Sequence, residues 1–358
     1  MGAFLMIDIG AGTMDMLYYD PDSGEHFKAV VPSPVRDVAR AIRRTSGALA
    51  VTGMEMGGGP VTAALQERAA REDVRISLSA AATLHHDPDR VRQWGLQVEP
   101  DDAMARYVDD PAYTEVVLAD VQAERIWRIV GGMGFDLKFE VVALCAQDHG
   151  TAPKGVSHLD FRHNLHQDLL GGDPRPERLM FRSDQVPPAF NRLRCMASAA
   201  KALNAAEIYV MDSGMAAILG ASQDLQLDPA RPAAVLDIAT SHTVGAVVHE
   251  DRIAGYFEYH THDITLDKLE RLLRDLPEGR IDHARVLAEG GHGAFLHETV
   301  GFDALQGILA TGPKRRLVAD SQLPVIWGAP WGDNMMTGTV GLLEAVRRVK
   351  GMEPVRYL

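Results

Sequence analysis

The sequence predicts an α/β protein built from two similar halves with a cleft between them. Two stretches, residues 4–19 and 234–258, indicate this because each reads as an apolar strand ending near an Asp, a short turn and a second strand. Similar stretches in two halves indicate a duplicated unit, and a cleft between two copies commonly binds a ligand. With 358 residues, 46% of them hydrophobic and 24% charged, the chain is large enough for two domains with separate cores.

The first stretch predicts a β-hairpin with a Gly-rich turn. Gly10 and Gly12 let the backbone approach a phosphate without obstruction by a Cβ atom, and the hydroxyl of Thr13 adds a donor. Asp8, at the end of the first strand, would hold Mg²⁺ through water molecules, because this small cation keeps several waters and takes few protein carboxylates. In the second stretch Asp237 occupies the place of Asp8, and Thr243 corresponds loosely to Thr13. Two ordinary hairpins, with each Asp capping its turn, are the alternative.

In the rest of the first half, short apolar runs predict strands and a helical spacing of apolar residues predicts helices. Pro60 is suited to open a helix after the glycines at 57–59. We expect a first domain over 1–189, with an insertion at about 74–114 and a lid or substrate loop at 151–188. The expected elements are strands at 26–31, 48–52, 114–120 and 139–145 and helices at 34–42, 61–71 and 121–130.

The second domain is expected over 190–358. Its clearest helix lies at 266–276, where leucines form one stripe. Residues 280–288 fit either a helix or a strand, and the Gly-rich residues 289–293 predict a loop. The other expected elements are helices at 192–203, 214–221 and 335–349 and strands at 207–211, 308–310 and 324–327, besides the three strands within 234–258.

Charge and cysteine content exclude several classes of protein. The net charge of −13, from 49 acidic and 36 basic residues, disfavours a general nucleic-acid or anionic-membrane surface. No apolar run approaches the length of a membrane span, and the start of the sequence lacks the basic region of a signal peptide. Two cysteines, Cys145 and Cys195, are typical of a reduced protein, so we expect the cytoplasm as the location. The sequence leaves a homodimer open.

Five motifs resemble the superfamily of acetate and sugar kinases, Hsp70 chaperones and actin. Residues 8–13 and 237–243 resemble its two phosphate motifs, and residues 210–220 resemble its first connecting helix. Residues 308–313 resemble the strand and turn that contact adenosine, and residues 337–343 resemble the final connecting helix. Because the five motifs occur in the expected order across most of the chain, they are more specific together than any one of them.

This resemblance implies two ribonuclease-H-like domains of the actin-like ATPase type, which close over a central cleft, with ATP and Mg²⁺ as ligands. Asp8 is the first candidate for holding the metal and for catalysis, and Asp237 is the second candidate for the metal. The residues implied for nucleotide binding are Gly10, Ala11, Gly12, Thr13, Asp237, Thr240, Ser241, His242, Thr243, Thr311 and Gly312.

The second turn departs from the superfamily pattern, because residues 239–242 stand where glycines are usual. Its backbone would approach a phosphate less closely, and contacts would come from the side chains of Thr240, Ser241 and His242. The departure leaves open that the cleft binds another anionic ligand.

Residues 147–150 resemble the strand-end sequence with which some carbohydrate kinases contact substrate hydroxyls. Asp148 or His149 would then take the proton from an acceptor hydroxyl as general base, and Gln147 would orient that hydroxyl. A hydrogen-bonded structural His at a strand end is the alternative for His149. His260 and His262 offer two ligands for a transition metal, but no HExxH spacing accompanies them, so ordinary polar loop residues are the alternative.

Within the superfamily the chain is similar to a bacterial and archaeal family often labelled pyruvate formate-lyase activating enzyme-like. A radical activase of that kind needs three closely spaced thiolates for its iron–sulfur cluster, and the sequence has only Cys145 and Cys195. We therefore expect an ATP- and Mg²⁺-dependent kinase acting on a small polar metabolite. The alternatives are an ATP-hydrolysing Hsp70-like or reactivase-type protein that acts on a protein partner, and a non-nucleotide ligand-binding or transferase member of the fold.

Overall fold

The computed structural model describes residues 2–355, and its strands form two six-stranded sheets and one four-stranded sheet. The elements up to residue 221 are β1 (Phe4–Ile9), β2 (Thr13–Tyr19), β3 (His26–Pro32), α1 (Pro34–Arg44), β4 (Ala48–Gly53), α2 (Pro60–Ala69), β5 (Val74–Ser77), α3 (Leu78–Ala81), α4 (Pro88–Gln93), β6 (Gln97–Glu99), α5 (Ala105–Val108), β7 (Tyr113–Leu118), α6 (Ala123–Gly132), β8 (Phe139–Ala146), α7 (His158–Leu170), β9 (Met180–Arg182), α8 (Asn191–Ala200), β10 (Ala205–Asp212) and α9 (Ser213–Ala221).

The remaining elements are β11 (Ala233–Ile238), β12 (His242–His249), β13 (Arg252–His260), α10 (Leu266–Asp275), α11 (His283–Ala288), β14 (Gly291–Leu296), β15 (Ile308–Thr311), β16 (Val325–Trp327) and α12 (Thr337–Lys350). Short 3-10 helices lie at Asp101–Ala103, Pro176–Leu179, Lys201–Leu203, Phe302–Ala304, Arg315–Val318 and Pro330–Gly332.

The two six-stranded sheets share a five-strand unit and differ in the edge at which the sixth strand adds. In the first sheet the order is β3-β2-β1-β8-β10-β9, with an antiparallel β1–β2–β3 meander and with β8 and β10 parallel to β1. In the second sheet the order is β14-β13-β12-β11-β15-β16, with the same meander over β11–β12–β13 and with β15 and β16 parallel to β11. Both sheets thus contain the same five-strand unit, which confirms the predicted pair of ribonuclease-H-like domains.

Local sequence explains why the elements begin and end where they do. Ser33 accepts a hydrogen bond from the backbone N–H of Val35 and Pro34 opens α1, which is the expected chemistry of a helix start. The predicted leucine stripe of α10 is buried at Leu269, Leu272 and Leu273. The strands and helices expected from the sequence are present within a few residues, apart from the regions discussed below.

Helices α9 and α12 occupy equivalent places, since each follows the last parallel strand of its five-strand unit, and they pack directly against each other. A Cβ atom placed on Gly220 would lie 1.8 Å from the backbone oxygen of Thr337, and one placed on Gly341 would lie 1.8 Å from the backbone oxygen of Ala216. The two glycines therefore allow a reciprocal backbone contact that joins the two halves.

Four regions differ from the sequence expectation. The inserted region contains a parallel sheet with the strand order β6-β5-β4-β7. Because β4 and β7 belong to this sheet, the insertion covers more of the chain than the predicted residues 74–114. Strand β10 pairs with β8 in the first sheet, so the proposed domain division at residue 190 does not coincide with the division between the sheets, which falls between β10 and β11. Residues 151–188 contain α7, and the loop expected at 289–293 is wrong because β14 begins at Gly291.

None of the helices within the described chain has the length and apolar character that a membrane span requires.

Candidate functional site

The turns after β1 and β11 have the same backbone closure. The N–H of Gly10 donates to the backbone oxygen of Thr13 over 3.0 Å, and the N–H of Ala239 donates to that of His242 over 3.0 Å. His242 is therefore the positional counterpart of Thr13, and the expected correspondence with Thr243 is wrong by one residue. A one-residue shift along a strand changes the face on which a side chain lies.

The two turns enclose a cavity of about 70 Å³ between the sheets. Nine of the predicted site residues lie around it: Asp8, Gly10, Ala11, Gly12, Thr13, Asp237, Thr240, Ser241 and Gly312. Seven lining residues were not predicted as site residues: Asp15, Ala239, Pro313, Asn334, Met335, Thr337 and Gly338. We call this the aspartate cavity.

The three carboxyl groups of the aspartate cavity have raised pKa values. Burial raises the pKa of Asp8 to about 6. Burial and the charge of Asp8 raise the pKa of Asp237 to about 7, and they raise that of Asp15 to about 8. One oxygen of Asp15, Oδ1, is buried without a hydrogen-bond partner. A cation would lower all three pKa values, because it offsets both the burial and the mutual repulsion of the carboxylates.

Helix α12 begins directly over Asp8. A Cβ atom on Gly338 would lie 2.1 Å from Oδ2 of Asp8, so a larger residue at this position would displace the carboxylate from its present place. The two turns also touch each other, since a Cβ atom on Gly12 would lie 2.7 Å from Oγ1 of Thr240. The cleft between the two halves is closed at this point, and a ligand the size of a nucleoside triphosphate would require the halves to move apart.

Two predicted nucleotide contacts lie beside the cavity and do not line it. Thr243 is fully buried, with its hydroxyl 3.0 Å from that of Thr261. Thr311 is also fully buried, with its hydroxyl 2.8 Å from that of Thr337, a residue that does line the cavity. Both threonines hold neighbouring strands and loops in place.

The three predicted substrate residues follow β8 and have different surroundings. Gln147 donates a hydrogen bond to Glu258 of the other sheet. Asp148 is 2% exposed, and its two oxygens accept the backbone N–H groups of Gly150 (2.8 Å) and Leu193 (3.0 Å). Burial raises the pKa of Asp148 to about 6. His149 lies beside His242 and His292.

Four imidazole rings gather where the two sheets meet, and we call them the histidine cluster: His149, His242, His260 and His292. Ring centroids are 4.3 to 4.8 Å apart among the three from the second sheet. The ring of His149 is 6.0 Å from that of His242 and 5.6 Å from that of His292. Burial lowers the pKa of His242 to about 3 and holds that of His149 well below its usual range. His242 and His149 are therefore uncharged at neutral pH.

A buried ionic network lies next to the histidine cluster. Arg162 of α7 bridges Glu258 on β13 and Asp212 at the end of β10, and the side chains of Arg162 and Glu258 are both nearly inaccessible. The Arg162 guanidinium holds the pKa of Glu258 well below its usual range despite burial. A buried carboxylate needs such a partner, because a charge without one is costly in a protein interior. Arg162 and Gln147 thus connect the first sheet to the second through the same carboxylate.

Some of the missed residues had a signal in the sequence. A hairpin centred on residues 10–13 pairs Asp8 with Asp15, and the structure has this pairing. Glu258 interrupts an apolar aromatic strand, which is unusual for a strand buried on both faces. Arg162 had no such signal, because its segment has weak periodicity and its two partners are distant in sequence.

Two six-stranded sheets with acidic turns facing each other across a cleft define the fold of the protein as a pair of ribonuclease-H-like domains of the actin-like ATPase type. The chain belongs to the family described as "Putative pyruvate format-lyase activating enzyme (DUF1786)", whose profile matches residues 56–317. No curated protein matches the sequence.

Several solved structures resemble the chain at low identity. The ethanolamine utilization protein EutJ from Carboxydothermus hydrogenoformans is 10% identical over 95% of this chain and 88% of its own, with a TM-score of 0.34. The ROK hexokinase from Thermus thermophilus is 13% identical over 98% of this chain and 99% of its own, with a TM-score of 0.33. MreB5 of Spiroplasma citri bound to ADP is 11% identical over 98% and 97%, also with a TM-score of 0.33. Likenesses this weak assign no function to the chain.

The cysteines do not support the activity in the family's description. Cys145 is buried and Cys195 is partly exposed, and both are free thiols. Burial raises the pKa of both, so that neither is a ready thiolate. Two such groups do not provide the three thiolates that an iron–sulfur cluster of a radical activase requires.

Proposed function

We propose that the protein is an ATP- and Mg²⁺-dependent phosphotransferase that acts on a small polar metabolite. The observation that carries this proposal is the aspartate cavity, where Asp8 and Asp237 come from equivalent strand ends of the two halves and lie between two turns. Their raised pKa values, and the buried Oδ1 of Asp15 without a partner, fit a site built for a cation. Bound ATP with Mg²⁺ would supply the phosphoryl group.

In the cavity, the aspartates would bind the metal and the turn residues would bind phosphate. Asp8 would organise the waters of the metal, and Asp237 would do so from the opposite side. The backbone of residues 10–13 would donate N–H groups to phosphate oxygens. In the second turn, the hydroxyls of Thr240 and Ser241 would make the contacts that glycine N–H groups make in the first.

On the acceptor side, His149 is the candidate general base. Gln147 is bonded to Glu258, and both oxygens of Asp148 accept backbone hydrogens, so these two residues would fix the loop that carries His149. Burial keeps this imidazole neutral at physiological pH, which is the protonation state a base requires, and it also makes the ring a weaker base than a free imidazole.

A second candidate function is ATP hydrolysis that drives domain movement on a protein partner. The contact between Gly12 and Thr240 and the small volume of the cavity favour it, because a nucleotide would enter only after the halves separate. Binding energy would then be converted into movement about the α9–α12 contact.

Calorimetry with ATP, with and without Mg²⁺, tests both functions. We expect Mg²⁺-dependent binding that is lost in Asp8→Asn and kept in Asp184→Asn, a control at an exposed aspartate outside the cavity. Absence of binding to the folded wild-type protein would contradict both functions and favour a non-nucleotide ligand. Mass spectrometry of a metabolite mixture after incubation separates the two, since only a kinase leaves a phosphorylated small molecule.

A further inference from the structure

We propose that His149, His242 and His292 form a binding site for one divalent transition-metal ion of the Zn²⁺ type. One ring nitrogen from each of the three side chains lies within 4.8 Å of the other two. This site is separate from the aspartate cavity, whose oxygen ligands suit Mg²⁺, and it goes beyond the proposed phosphoryl transfer.

The topology explains how the imidazoles come together. His242 begins β12 and pairs in register with His260 on β13. His292 lies on the neighbouring strand β14, at a register shift between the pairs Glu258–Gly293 and Tyr259–Gly291. Three adjacent strands thus place three imidazoles at one end of the second sheet. His149 approaches them from the loop after β8 in the first sheet, so the proposed ligands come from both halves.

The hydrogen bonding of these rings is incomplete. Nε2 of His242, Nδ1 of His260 and Nδ1 of His292 are buried and have no hydrogen-bond partner. A buried polar atom without a partner costs free energy, and a metal ion would satisfy it. Several such atoms in one group of histidines are better explained by a shared ligand than by separate structural roles.

The spacing is close to that of a metal-bound set. Tetrahedral ligands at 2.0–2.1 Å from Zn²⁺ are about 3.4 Å apart, so side-chain rotations would need to shorten the widest separation by about 1.4 Å. Nδ1 of His292 lies 3.8 Å from Oε1 of Glu258. Arg162 and Gln147 hold Glu258 in place, so a buried carboxylate lies next to the proposed site.

Two consequences follow for the rest of the molecule. An ion held by His149 and by the two histidines of the second sheet would hold the halves together, so that metal binding would favour the closed cleft. Three protein ligands leave a fourth position for His260, water or a bound molecule. In the metal-bound protein, His149 is a ligand and is not available as a general base.

The first experiment titrates the full-length, metal-stripped protein with Zn²⁺ by calorimetry and with Co²⁺ by visible absorption, without nucleotide. We expect one ion per chain and the absorption of four-coordinate Co²⁺. His149→Ala and His292→Ala should each weaken binding by more than the about 10- to 100-fold that loss of an outer partner costs. His262→Ala is the matched control, because that ring is adjacent in sequence to the cluster but its side chain is 73% exposed beside Asp263.

Circular dichroism establishes that each variant is folded. If His149→Ala does not fold, His149→Gln replaces it as the test variant. Equal Zn²⁺ affinity in wild type, His149→Gln and His292→Ala would overturn the proposal, and so would a loss of binding in His262→Ala alone. The Mg²⁺-dependent binding of ATP is measured separately, on the metal-stripped protein and with Asp8→Asn as its variant, so failure of one proposal is distinguishable from failure of the other.

Discussion

The two halves of the molecule have the same backbone frame and different chemistry at equivalent positions. In the first half, the turn contains Gly10 and Gly12, and the strand after it contributes Asp15 to the cavity. In the second half, the turn contains Thr240 and Ser241, and the residue paired with Asp237 is Val244, whereas the residue paired with Asp8 is Asp15. A duplicated frame therefore need not carry duplicated chemistry.

The difference shows how the two turns would share one ligand. The glycine turn leaves space and offers backbone N–H groups, whereas the second turn fills that space with hydroxyl side chains and ends in His242. Because His242 is the positional counterpart of Thr13, the second half exchanges a hydroxyl for an imidazole. The same turn thereby borders both the aspartate cavity and the histidine cluster.

The substitutions with the largest expected effect test whether the two halves contact each other symmetrically through α9 and α12. Gly220→Ala and Gly341→Ala should each destabilise the protein by about 3 kcal/mol, because the new methyl group meets backbone atoms of the facing helix that cannot move without separating α9 from α12. Urea unfolding followed by circular dichroism measures the change. Gly132→Ala is the control, since no atom lies within 4 Å of its added Cβ. Clearly unequal effects of the two substitutions would contradict the reciprocal contact.

The next effect tests whether the equivalent aspartates have equal roles. Asp8→Asn should lower the rate of ADP release from ATP by about 100-fold, the loss typical of a group that stabilises charge in the transition state. Asp237→Asn should lower it less, because its turn lacks the glycine N–H groups next to the phosphate. A coupled ADP assay gives both rates, with Asp184→Asn as the control. A greater loss in Asp237→Asn would reverse the assignment of the two halves.

The pH dependence of stability tests the carboxylate that only the first half contains. The pKa of Asp15 is raised from 3.8 to about 8 in the folded protein, so between these values the folded state binds more protons than the unfolded state. Stability without ligand should therefore be greatest at low pH within this range and should fall as pH rises towards 8. Asp15→Asn should reduce this fall, and thermal unfolding at pH 5 and pH 8 measures it. An unchanged slope would contradict the raised pKa.

The smallest effect tests whether the second turn limits the ligand. Thr240→Gly removes the side chain that touches Gly12 and makes the second turn more like the first. Because the Thr240 hydroxyl is a proposed phosphate contact, we expect a loss of less than about tenfold in ATP affinity, measured by calorimetry with Mg²⁺. The fold should be unaffected, because Thr240 lies in a turn. Stronger binding would show instead that the threonine side chain obstructs the ligand.

Much of the frame was predictable from local patterns. The Asp at each strand end, the glycines at 10 and 12 and the alternating strands on either side were sufficient to predict two duplicated hairpins. The pairing of Asp8 with Asp15 could also have been predicted, since a hairpin register follows from its turn. The exact counterpart of Thr13 was missed because the second turn has no glycines to mark its centre.

The histidine cluster and the buried network were not predictable in the same way. The sequence analysis paired His260 with His262, and the structure stacks these two rings with centroids 5.1 Å apart. It also brings His260 next to His242 and His292, which the sequence did not indicate, and leaves His262 exposed. Arg162 lies in a segment with little periodicity and reaches Glu258, 96 residues away. Neither contact leaves a trace in residue spacing.

By itself, the sequence determined the strands, the turns and the duplication, because strand alternation, glycine turns and helix starts depend on residues a few positions apart. The tertiary structure alone decided that the two turns touch, that Glu258 is paired across the sheets and that His149 joins three strands of the other half. These contacts depend on how two sheets pack, and packing is a property of the whole interface that no short stretch of residues encodes.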